Sequence, residues 1–106
     1  MRQEIRNLVQ MGPFPDETST SKERVGQYEK LLQSVSPPVS NEEARALTKL
    51  FGVDGFYGLA FTMLHLVETA PNWPIAECLN DIDNEWIKEL RERKELRERA
   101  ERGGKL

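Results

Sequence analysis

At 106 residues with 38% hydrophobic and 31% charged positions, the chain has the length of one domain, and one hydrophobic core is expected, not two. Its net charge of −3 is unevenly divided, because residues 1–87 hold seven Lys/Arg against thirteen Asp/Glu, a net −6, whereas residues 88–106 hold eight against five, a net +3. An acidic body of this kind repels phosphate backbones, which argues against direct nucleic-acid binding and for a basic protein partner.

Ile5, Leu8 and Val9 stand at helical spacing before Gly12, Pro13 and Pro15 end the pattern, predicting a short first helix. Thr20-Ser21-Lys22-Glu23 reads as a capping box with Thr20 as the cap, and Val25, Tyr28, Leu31, Leu32 and Val35 follow on one face. A second helix is predicted over about 21–35, ended by Ser36-Pro37-Pro38. Ser40-Asn41-Glu42-Glu43 forms another capping box ahead of Ala44, Leu47, Leu50 and Phe51, with Gly52 suited to the left-handed residue that closes a helix.

Asp54 is placed to cap the next segment, GFYGLAFTMLHLVETAP, in which Phe56, Leu59, Ala60, Met63, Leu64, Leu66 and Val67 cover more than half the helix circumference. That segment reads as a central helix covered by the others. Gly58, Thr62, His65 and Thr69 share its one narrow polar sector, which is either an exposed face or a strip where another helix approaches closely. Asn72-Trp73-Pro74 resembles a helix start with proline first, and Ile75, Cys78, Leu79, Ile82, Trp86 and Leu90 continue the apolar face, either as one helix or as two interrupted at Asn80-Asp81. From residue 88 the near-repeat KELRER dominates, and Glu89/Arg93, Glu95/Arg99 and Glu98/Arg102 stand four apart, each pair worth about 0.2–0.5 kcal/mol in a solvated helix. The predicted architecture is an all-α bundle of four to five helices over residues 1–90, with a charged helical tail at 91–106.

Catalytic and cofactor chemistry find little support. Cys78 has no partner for a disulfide, consistent with a reducing, cytoplasmic setting, and it falls on an apolar stripe where a buried structural thiol is expected. The N-terminal residues lack a signal-peptide core and the longest apolar stretch is too short to span a bilayer. His65 reads as a hydrogen-bonded structural histidine. Asp81, Asp83 and Glu85 alternate like the start of a calcium loop, but Trp86 occupies the place of its glycine, so a solvated helix start or an acidic recognition patch is expected instead. No metal, cofactor or catalytic residue is expected. Trp86 is assigned to the core, and Trp73, flanked by prolines and with Tyr57 nearby, to an interface anchor.

Asp54-Gly55-Phe56-Tyr57-Gly58-Leu59-Ala60-Phe61, leading into Leu64-His65-Leu66-Val67-Glu68, resembles a glycine-opened helix of the small all-helical immunity proteins that bacteria encode beside polymorphic or contact-dependent toxins. The resemblance spans about the middle third of the chain. It implies inhibition by occlusion, in which an acidic surface docks over the basic active-site cleft of a cognate nuclease toxin. Charge and expected exposure nominate Asp54, Tyr57, Glu68, Trp73, Glu77, Asp81, Asp83 and Glu85 as partner contacts. The alternative is a small helical adaptor or self-associating scaffold, in which the Gly58/Thr62/Thr69 strip packs against a second copy, as a homodimer, or against a host protein.

Overall fold

The computed structural model describes residues 1–81 and 83–103, without the side chains of residues 102 and 103; Ile82 of the predicted stripe and the Glu98/Arg102 pair lie outside the described residues. Every regular element among the described residues is helical: α1 (Gln3–Met11), α2 (Lys22–Ser34), α3 (Asn41–Thr48), α4 (Leu59–Val67) and α5 (Glu85–Gly103), with 3₁₀ turns at Phe56–Gly58 and Ala76–Leu79. The helix α4 is the centre of the bundle. Leu59, Ala60, Met63, Leu64, Leu66 and Val67 are all buried, and α2, α3 and α5 pack around them, so the apolar wrap of this segment is satisfied as its sequence requires. Among the described residues no helix is long and apolar enough to cross a membrane.

Local rules account for two helix starts and miss a third. Ser40 and Glu43 form the expected capping box of α3. At α2 the cap is Ser21, whose hydroxyl accepts from the Arg24 amide at 3.2 Å, and Thr20 stands one residue too early. Its hydroxyl oxygen is buried without a hydrogen-bond partner among the described residues. An unpaired buried hydroxyl costs about 1–3 kcal/mol, and valine has nearly the same shape. Thr20→Val is therefore expected to raise the unfolding free energy by about 1 kcal/mol in urea denaturation; a loss of stability would show that the hydroxyl is held by a hydrogen bond in solution. The predicted start at Asn72-Trp73-Pro74 opens no helix. The chain there runs through a turn and an extended Ile75 into the 3₁₀ turn, and α5 begins only at Glu85, where the Asn84 side chain accepts from the Trp86 and Ile87 amides at 2.9 and 3.3 Å.

Two further expectations change for packing reasons. Val9 is 41% exposed, since Ile5 and Leu8 alone complete the buried face of α1. The helix α3 ends at Thr48 with a right-handed Lys49, so Gly52 closes nothing. Its missing side chain instead admits the Phe14 backbone, whose amide donates to the Leu50 carbonyl at 2.9 Å. Phe14, Tyr28 and Phe56 then meet as an aromatic trio with centroids 4.9–5.3 Å apart, and the Tyr28 hydroxyl donates to the Gly12 carbonyl at 2.9 Å.

Two carboxylates tie the helices together. Glu43, with a side chain 5% exposed, accepts from the Arg2 backbone amide, Nε and Nη2, each at 3.1 Å, and from the Ser40 amide at 2.8 Å. The other Arg2 nitrogen donates to the Ser36 carbonyl at 2.7 Å, so this residue joins the start of α1 to both ends of the α2–α3 connection. The Arg2 guanidinium holds the Glu43 carboxyl down at about 2, from an ordinary 4.5. Glu68 plays the same part at the other end of the core, accepting from Arg93 Nε and Nη2 at 2.9 and 2.8 Å. Arg93 thus turns inward to Glu68, while Lys94 and Glu98 form an exposed i,i+4 pair at 3.8 Å.

Candidate functional site

The segment entering α4 has an unusual backbone. Phe56 and Tyr57 take φ of 46° and 53°, and Gly58 follows at 87°, so two side-chain-bearing residues in succession occupy the left-handed region, at a cost of about 1–3 kcal/mol each. Asp54 and Glu17 over-determine the geometry. The Asp54 carboxylate accepts from the Phe56 amide at 3.0 Å and the Glu17 amide at 2.9 Å. In return, Glu17 accepts the Tyr57 amide on its carboxylate at 2.7 Å and the Tyr57 hydroxyl on its carbonyl at 2.9 Å. The reversal sends Phe56 wholly into the core and leaves Tyr57 60% exposed.

One turn further on, Phe61 is 54% exposed and stands edge-on against Trp86, with centroids 4.8 Å apart. Trp86 is held from behind by Phe51, stacked at 6.2 Å, and by its indole N–H, which donates to the Asp54 carbonyl at 2.9 Å. Asn84 fixes the same corner, donating to the Phe51 and Gly52 carbonyls at 3.2 and 3.3 Å. Val53, between these anchor points, is 79% exposed. The result is a supported aromatic corner of Phe61 and Trp86, with exposed Asp83 and Glu85 in the chain just before Trp86.

The eight nominated residues do not form one acidic face. Asp54 is spent on backbone amides, and Glu68, its side chain 9% exposed, is clamped by Arg93 with Arg97 at 3.8 Å; both are structural groups, because each neutralises donors that the fold would otherwise leave unpaired. Trp73 is half-buried and packs against the core, as Trp86 does, whereas Phe61 is the more exposed aromatic at 54%. Glu77 pairs with Arg45 at 3.5 Å and lines a cleft together with Asp81, Arg45 and Lys49, a site of mixed charge. Asp83 and Glu85 remain exposed beside the aromatic surface, Glu85 carrying only a solvent-exposed contact to Lys88 at 3.4 Å, which is worth little.

The remaining candidates are also placed. Cys78 is buried, as its stripe position predicts. His65 is exposed and makes no hydrogen bond among the described residues, against the structural role expected of it. Gly58 and Thr62 are exposed beside it, whereas the Thr69 hydroxyl accepts from the Val39 amide at 2.9 Å and donates to the Leu66 carbonyl at 2.6 Å. The polar sector of α4 is thus an outward face whose last residue is taken up by the fold. Among the described residues, no group of three or more His, Cys, Asp or Glu side chains is arranged to hold a metal ion.

Phe61 is the residue that sequence reasoning missed. Its position on a 100° wheel falls about 40° from His65 at the edge of the Gly58/Thr62/His65/Thr69 sector, and that offset is a signal that it borders the exposed face. Comparison with protein-family models, with curated proteins and with solved structures returned no match.

Proposed function

We propose that the protein acts by binding, as an immunity protein that occludes the active site of a basic toxin domain, with a nuclease as the toxin class that the sequence resemblance implies. The observation that carries this reading is the Phe61–Trp86 corner. Phe61 is exposed and braced edge-on by a half-buried Trp86 that its indole hydrogen bond and Phe51 hold in place. An aromatic held in this way loses little conformational freedom on association, and aromatics are among the residue types that anchor interfaces. A Lys or Arg of the partner can lie over these rings. Asp83 and Glu85 add negative charge at the rim, and the −6 of residues 1–87 accelerates encounter with a cationic surface.

The test is capture from native lysate with the tagged full chain, its Phe61→Ser variant and the Asp83→Lys/Glu85→Lys double variant. The wild-type chain is expected to retain a basic protein in equal amount and to release it with rising salt; Phe61→Ser should weaken retention by about a hundredfold, the scale of an interface hot spot. The charge-reversal variant should slow association and flatten the salt dependence. Equal retention by all three proteins, or recovery of the chain only with itself, would replace this reading with the self-associating scaffold.

A further inference from the structure

A second site opens between α3 and the start of α5. It is a cleft of about 360 Å³, within the range of small-ligand sites. Phe51, Cys78 and Ile87, all buried, line its apolar part. Charged groups of both signs line the rest: Arg45 and Lys49, one turn apart, and Glu77 and Asp81.

These four charges are not equally satisfied. Arg45 and Glu77 meet each other at 3.5 Å. Lys49 and Asp81 are both exposed, both line the cleft, and neither forms an ion pair among the described residues. Opposite charges that share a cleft without reaching each other complement a ligand that carries a carboxylate and an ammonium of its own. The apolar lining asks that the ligand also carry an apolar group.

We propose that this cleft binds a free α-amino acid with an apolar side chain, its carboxylate toward Lys49, its ammonium toward Asp81, and its side chain against Phe51 and Ile87. A free amino acid is singled out because a chain terminus or a capped metabolite presents only one of the two charges. Both anchoring charges are partly hydrated, so each adds modestly and the affinity falls in the millimolar range. The site goes beyond the toxin-binding reading: its charged groups, Lys49 and Asp81, are not those of the Phe61 surface, and either assignment stands or falls alone.

The experiment is an NMR amide-shift titration of the full chain with leucine, leucinamide, N-acetylleucine and glycine. Leucine is expected to give saturable shifts in residues 48–51 and 77–81, with binding about tenfold weaker for leucinamide, which lacks the carboxylate, and for N-acetylleucine, which lacks the ammonium. Glycine should also bind more weakly than leucine. Lys49→Met should weaken leucine and leave leucinamide unchanged; Asp81→Asn should weaken leucine and leave N-acetylleucine unchanged. Equal binding of leucine and both capped forms, or no saturable shift with leucine, overturns the proposal.

Discussion

Glu43→Gln is expected to cost about 3 kcal/mol of stability at neutral pH, and the cost should disappear in acid. The Glu43 carboxyl is held at about 2 against an ordinary 4.5, with the Arg2 hydrogen bonds as the largest cause, and at about 1.4 kcal/mol per pH unit that depression amounts to about 3 kcal/mol. A carboxyl depressed by folding stabilises the native state fully above its unfolded pKa and loses that contribution as pH falls through its folded pKa. The wild-type advantage should therefore be intact above pH 4.5 and decline steadily toward pH 2. Urea denaturation of both proteins across this interval checks it, and parallel stability curves for wild type and variant would be incompatible with it. Arg2→Met should reproduce most of the loss, because it removes the guanidinium and its two hydrogen bonds to this carboxylate while keeping the backbone amide that donates the third.

Gly52→Ala is expected to destabilise by about 3 kcal/mol or more, the upper part of the range for overpacking. A Cβ there would fall onto the Phe14 carbonyl oxygen, well inside contact distance, with the Phe14 carbonyl carbon 3.2 Å and Cβ 3.3 Å away. Phe14 cannot retreat cheaply. Its amide is bonded to Leu50 and its ring is wedged between Tyr28 and Phe56, so the clash propagates into the aromatic trio. Gly26→Ala is the control, because nothing lies within 4 Å of the added methyl and alanine favours a helix interior by about 1 kcal/mol over glycine. Thermal melts of the two variants should move in opposite directions; a shared direction would remove the steric account of Gly52.

The contrast between these sites shows what was legible in the sequence. The Ser40/Glu43 capping box is an interaction across three residues, so its pattern is local and visible. The Arg2 partner of the same Glu43 lies 41 residues away, and no periodicity encodes it. Burial of α4 followed from its own apolar wrap, while the choice of Ser21 over Thr20 as cap turned on backbone direction in a stretch where both residue types serve equally well. Acidic residues were read as surface groups by type. Asp83 and Glu85 obey that rule; Asp54 and Glu68 break it, because a distant amide and a distant guanidinium came to meet them. Phe61 breaks the matching rule for aromatics, since Trp86 covers only one side of it.

The Glu68 clamp has a consequence for cooperativity. Glu68 sits at the C-terminal end of α4, where the exposed carbonyls already concentrate negative potential and a carboxylate is unfavourable. Arg93 and Arg97 of α5 offset that charge, so the last turn of the central helix is electrostatically complete only when α5 is docked. Amide hydrogen exchange should accordingly protect residues 64–68 and 86–93 as a single opening unit, with the turns of α5 beyond Arg97 exchanging early and on their own.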